Sequence, residues 1–266
     1  MIQSINKEPY ILDETGDFAV VYKPPRMHCE NKYMNFNREP QNPTTQDRSD
    51  EPTRKYEEDD TLFSFYKQKE NDYLRLMHRL DYETHGLVLF AKNEKSFNYL
   101  KDLQDRGEFI KEYSAICSVQ NNFSQTSVSS FQTPDFSQLS DHHSLLTVPF
   151  IIESYFRPYG PGRKTIRPIT DEKKNHKETA KDKGGFYKTE VINIENNIFT
   201  VRIKRGFRHQ IRCHLCWKGF PIINDPLYPQ ITETHDFLAL RSQALFFCDP
   251  LTEKKIDYRI EPLYEI

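Results

Sequence analysis

The sequence predicts an α+β fold, a mixed and mainly antiparallel β-sheet with flanking helices. Three observations lead there. Strand-like apolar runs outnumber helical patterns, several of those runs are separated only by short turns, and helices do not alternate with strands as a doubly wound sheet requires. The 266 residues suffice for one sizeable core, and 19 Phe and 15 Tyr supply its bulk. That aromatic content argues against wholesale disorder, although 29% of the residues are charged.

In chain order, Phe18–Tyr22 is an unbroken apolar run stopped by Pro24 and Pro25, as in a buried strand, and Gly86–Ala91 is a second. Asn93 suits a helix N-cap with Glu94 in the first turn. Phe97, Leu100 and Leu103 then recur at every third position up to Gly107, a glycine stop. Lys111–Cys117 reads as a strand. Phe199, Val201 and Ile203 alternate with Thr200, Arg202 and Lys204, so that strand buries one face and carries two cations on the other. Arg208–Lys218 reads as a helix ended by Gly219, and Phe237–Phe247 and Ile256–Ile260 as further strands. One domain spanning residues 1–266 is expected, interrupted by polar insertions at 28–61, 118–147 and 161–185. The first holds no Val, Ile or Leu between His28 and Thr61, the second is rich in Ser and Gln, and the third carries Lys164, Arg167 and five further lysines. All three read as solvated loop.

Composition excludes several classes. No apolar stretch approaches the roughly 20 residues of a bilayer span, and the N-terminus lacks the pattern of a secretory signal, so a cytoplasmic protein without membrane attachment is expected. Five scattered cysteines make no disulfide framework. With nine glycines and no glycine-rich phosphate loop, nucleotide-dependent chemistry is not indicated. The net charge of −2 confines any polyanion site to a local basic patch.

The densest such patch runs from Arg202 to Lys218, where Arg202, Lys204, Arg205, Arg208, Arg212 and Lys218 meet no acid. It reads either as a solvated face or as a phosphate-binding one. Arg208 and Arg212 stand four apart beside Ile211 and Leu215, so one guanidinium is expected to be partly buried and to need an anionic partner. Asp81 is the candidate. By itself it reads more often as a loop residue bonded to backbone amides than as a catalytic one. His209, Cys213, His214 and Cys216 lack the second ligand pair of a structural zinc site, so no metal is expected. Tyr113 reads either as core packing or as a flat support for a nucleobase. A glycoside-cleaving pair finds only Asp81 and Glu83, whose spacing does not establish opposed carboxylates.

Taken in order, Ile11-Leu-Asp-Glu, Phe18–Lys23 with Pro24-Pro25, His78-Arg-Leu-Asp81 with Thr84, Gly86–Lys92, Lys111-Glu-Tyr113, Gly206, His209-Gln-Ile-Arg212 with His214-Leu215, Gly219-Phe-Pro-Ile222, Asp225 and Tyr228 resemble the RluA-type pseudouridine synthases. The resemblance covers nearly the whole chain outside the polar insertions. It implies an enzyme that isomerises uridine in RNA, without cofactor or metal; a ribosomal or transfer RNA stem-loop is the expected target, and a monomer the expected state. It makes Asp81 similar to the catalytic carboxylate, Tyr113 to the aromatic that stacks on the target base, and Arg212 to the arginine that pairs with the carboxylate. Arg79 resembles the residue that fills the gap left by the extruded nucleotide, and Arg202, Lys204, Arg208 and His209 complete the expected RNA contacts. Because the match begins at Ile11, no separate N-terminal RNA-binding module is expected. His85 and Phe207-Arg208 stand where most members have Ser and Arg-Thr. These departures suggest the alternative of a catalytically silent RNA-binding or ribosome-assembly factor on the same fold.

Overall fold

The computed structural model describes residues 5–30, 60–67, 73–118, 147–169, 186–228 and 236–263. Its strands are β1 (Tyr10–Glu14), β2 (Phe18–Lys23), β3 (Arg75–Leu76), β4 (His85–Ala91), β5 (Ile110–Ile116), β6 (Phe150–Tyr159), β7 (Thr165–Ile169), β8 (Tyr187–Glu195), β9 (Ile198–Ile203), β10 (Leu240–Cys248) and β11 (Lys255–Arg259). The helices are α1 (Leu62–Lys67), α2 (Glu94–Asp105) and α3 (Gln210–Trp217). The strands form one mixed sheet in the order β1-β2-β4-β10-β5-β9-β8-β6-β7, with β3 also on β4 and β11 also on β10. Only β4 and β10 pair in parallel among these strands. The α+β fold with a mainly antiparallel sheet is therefore the one the sequence predicts.

Both faces of β2 and β4 are covered, which is why these strands read as unbroken apolar runs. Ala19, Val21, Val88 and Phe90 point into the larger core, with α1 and the Ile211 and Leu215 side of α3. Phe18, Val20, Leu87 and Leu89 point into a second core under Leu100 and Leu103 of α2. The start of α2 follows its sequence signal, since Asn93 Oδ1 accepts from Ser96 N over 2.8 Å. A third, smaller core of Phe156, Ile166, Tyr187, Cys213 and Tyr228 seats the β6–β7 hairpin on α3.

Two readings of the sequence are corrected. Pro161–Ile169 is not loop: a short 3-10 turn at Pro161–Arg163 leads into β7, held by the fully buried Ile166. One buried side chain in five residues leaves too little pattern to see. The helix expected from Arg208 begins only at Gln210, because His209 adopts a left-handed φ of 56°. Of the first insertion, His28 and Thr61 form a parallel bridge, so the chain leaves and returns at one place. Residues 31–59, 119–146 and 170–185 lie outside the described residues.

Gly86 marks where the sheet is tightest. Its φ is 119°, and a Cβ there would stand 2.2 Å from the Ser242 carbonyl oxygen on the parallel neighbour β10. Backbone cannot yield as a flexible side chain can. Gly86→Ala is expected to lower unfolding free energy by about 3 kcal/mol or more. Gly206→Ala, whose Cβ would meet nothing nearer than Ile203 Cδ1 at 3.8 Å, should cost less than about 1 kcal/mol. Urea unfolding of both variants checks this, and equal losses would remove the close-approach argument.

Candidate active site

Helix α3 is clamped before it contributes chemistry. Gln210 Oε1 accepts from Phe207 N over 3.0 Å, and its amide donates to Lys188 O at 2.9 Å and Thr189 Oγ1 at 3.0 Å, locking the helix start to β8. His214 is fully buried, its Nε2 2.8 Å from Ser154 Oγ and its Nδ1 2.8 Å from Thr189 Oγ1. With Ile211 and Leu215 turned into the core, Arg212 lies beside that face at its edge, 2% exposed.

The Arg212 guanidinium meets two carboxylates. Nε and Nη2 donate to Asp225 Oδ2 and Oδ1 at 2.8 and 2.7 Å, a bidentate pair, and Nη1 donates to Asp81 Oδ2 at 3.3 Å. Burial opposes the charge, but the two aspartates outweigh it and hold Arg212 protonated above its ordinary range. Asp225 is itself fixed: Oδ1 also accepts from Leu227 N at 2.8 Å and Tyr228 N at 3.0 Å. The turn before it uses Asn224 at a φ of 60°, a conformation open to Asn. The two acids differ in access, with the Asp225 side chain 1% and the Asp81 side chain 23% exposed. The main partner of Arg212 is therefore Asp225, and the more accessible Asp81 accepts from the third nitrogen, Nη1. Sequence reasoning named Asp81 for that partnership; the bidentate geometry of Asp225 shows only once the 222–228 turn is folded against α3.

Asp81 lies in a tight turn, Thr84 N donating to its carbonyl over 3.1 Å. Beneath the turn the fully buried Lys23 donates to Pro24 O and Met27 O, each at 2.8 Å, and to Tyr82 O at 3.2 Å. Burial pushes this ammonium down to about 8, partly offset by Cys29, Asp81 and Glu83. Tyr113 on β5 is 5% exposed. Burial and then the charge of Asp81 hold its phenol neutral, well above its usual value. Asp81, Arg212 and Tyr113 are thus brought together from a loop, a helix and a strand.

The remaining expected contacts are dispersed. Glu112 and Tyr113 are successive strand residues and face opposite sides of the sheet. Arg202, across from Glu112, donates to it at 2.8 Å on the side away from Tyr113, where Arg259 and Gln243 join the same carboxylate. Arg208 is exposed and donates to Arg163 O at 2.7 Å and Thr165 O at 3.3 Å. Lys204 is exposed beyond the end of β9, and Arg79, 68% exposed, pairs with Glu30 at 2.7 Å. His209 is half-buried with Nδ1 3.2 Å from Tyr228 Oη, and burial pushes its ring down to about 4. It is uncharged at neutral pH. Unforeseen by sequence is the outward face of β6–β7, where Arg157 stands directly opposite Arg167 and Tyr155–Ile169 contains no acid.

Burial also pushes His214 down to about 3 from 6.5. A group whose folded value is depressed is neutral in the native state and takes up a proton on unfolding, so its contribution is complete above 6.5 and is lost as pH falls towards 3. Native stability should therefore decline across that window, and His214→Gln should show a flatter decline than the parent. Parallel pH–urea titrations measure this; identical slopes would exclude His214 as a source.

A sequence model of the family described as RNA pseudouridylate synthase matches residues 17–217. YjbO of Bacillus subtilis, named as an uncharacterised RNA pseudouridine synthase, is 26% identical over 185 residues, covering 70% of this chain and 54% of its own. The dual-specificity RNA pseudouridine synthase RluA of Pasteurella multocida is 25% identical over 191 residues, covering 70% and 73%. The uncharacterised protein K07E8.7 of Caenorhabditis elegans is 29% identical over 160 residues, 58% of this chain and 28% of the worm protein. The chain thus spans under a third of the worm protein and little more than half of the Bacillus one. Among solved structures, human RNA Pseudouridylate Synthase Domain Containing 1 shares the fold, with a TM-score of 0.60 at 15% identity over 96% of this chain and 84% of its own. With a family match over most of its length and a shared fold, the chain belongs to the RNA pseudouridylate synthase family.

Proposed function

We propose that the chain converts a uridine to pseudouridine in a stem-loop of ribosomal or transfer RNA, as a cytoplasmic monomer without cofactor. The observation that carries this reading is a partly exposed Asp81 held by a buried, doubly paired Arg212 beside Tyr113. The isomerisation breaks the bond between ribose C1′ and uracil N1 and forms one between C1′ and C5, with C5 losing a proton and N1 gaining one. Asp81 attacks the ribose or otherwise promotes detachment, and Arg212 orients it. The detached uracil turns against the Tyr113 ring, which resists in-plane rotation less than a set of fixed hydrogen bonds would. A base within a helix cannot reach Asp81, so the nucleotide is extruded and Arg79 fills the gap; a loop uridine makes this cheaper.

Phosphates are met by local charge. Like charges directly opposite on paired strands repel, and an anion relieves Arg157 and Arg167. That outward hairpin face, with Arg208 and Lys204, forms the RNA surface in this reading. Arg202, engaged by Glu112 on the far side, takes no part, and His209 supplies a neutral ring.

Pseudouridine maps of total RNA with and without the gene identify the target. On that target Asp81→Asn should lower turnover by about 10⁴-fold or more while leaving RNA affinity nearly unchanged. Turnover near the parent rate would refute the assignment. A pure protein that grips RNA yet converts no uridine would favour the silent RNA-binding reading. Replacing Arg157 and Arg167 together by Gln should reduce the slope of log affinity against log salt by about 1 to 2. An unchanged slope would place the phosphate contacts elsewhere.

A further inference from the structure

The turn that carries Asp81 also presents an aromatic ring to solvent, that of Tyr82. Tyr82 is 44% exposed, and among the described residues it is the only one of six exposed large apolar side chains to lie in this turn. A lone exposed ring is ordinary. This one stands on a held backbone: Thr84 N closes the turn onto Asp81 O, and Lys23 Nζ anchors the Tyr82 carbonyl at 3.2 Å. Its ring is backed by His28, with centroids 4.7 Å apart and planes tilted by 39°. His28 is anchored in turn, since its carbonyl accepts from Leu62 N at 2.9 Å. Two exposed cations belong to the same segments: Arg79, three residues before Tyr82, and Arg26, which lies two residues before His28 and reaches Glu83 at 3.5 Å.

An aromatic that is rigid before binding loses little freedom when a flat group settles on it. A uridine swung out to meet Asp81 leaves its neighbour in the strand without a stacking partner, and that neighbour is one phosphodiester away. We propose that Tyr82, backed by His28, is the stacking platform for the unpaired nucleobase next in the strand to the entering uridine, and that it favours a purine there because the larger ring system stacks better. This rests on RNA being the substrate and adds to it a residue that selects sequence context.

The test needs binding rather than turnover. A synthetic RNA hairpin with a loop of uridines and a single 2-aminopurine, moved through the loop, is titrated with the parent protein, Tyr82→Phe and Tyr82→Ala. The parent and Tyr82→Phe should quench the fluorophore at one loop position, whereas Tyr82→Ala should not and should bind about 5- to 150-fold more weakly. An abasic nucleotide at that position should erase the difference between parent and Tyr82→Ala. Equal quenching and affinity in Tyr82→Ala, or an equal loss on the abasic hairpin, would overturn the platform. If the parent quenches as expected but yields no pseudouridine in any RNA, the platform stands and the isomerase reading falls.

Discussion

The buried guanidinium of Arg212 is the constraint around which the site is arranged. A cation taken out of water is tolerable only with its donors matched, and removing one partner of such a pair costs about 3–5 kcal/mol. Asp225 answers most of that need through two short bonds from within the fold. This leaves one nitrogen, Nη1, directed at Asp81, so an interaction that joins α3 to the 222–228 turn also positions a carboxylate at the surface. The inequality of the two acids matters more than their number: the sealed one secures the cation and the accessible one is free to meet a substrate.

The sheet divides the chemistry by alternation. Tyr113 and Glu112 are neighbours in sequence, yet one borders Asp81 and the other gathers Arg202, Arg259 and Gln243 on the far side. The stretch from Arg202 to Lys218, uniformly basic when read along the chain, is thereby split among a far-face ion pair, an exposed tether to the hairpin and a buried core of the site. The cations best placed to meet an external polyanion include Arg157 and Arg167, which sequence reasoning had assigned to no patch or to a loop.

Long, strongly patterned elements were legible without coordinates. The runs in β2 and β4, the capped α2 and the alternating β9 all formed within a residue or two of their expected limits. Strand β6 escaped notice because its outward positions include Ile151 and Tyr155, which blur the alternation of Ile152, Ser154 and Phe156 beneath them. The late start of α3 was hidden in a single left-handed residue, His209.

By itself the sequence determined the kind of sheet and the stop and start of its clearest elements, because these depend on local periodicity, and it singled out Asp81, Tyr113 and Arg212 as candidates through motifs written contiguously. Only the tertiary structure decided that Asp225 is the chief partner of Arg212, that Arg202 turns away from the site and that Tyr82, next to Asp81, is half-exposed with its ring against His28. Those outcomes depend on strand register, on which side of a sheet a side chain points and on which distant carbonyls a buried lysine can reach. Such relations between remote residues have no period along the chain.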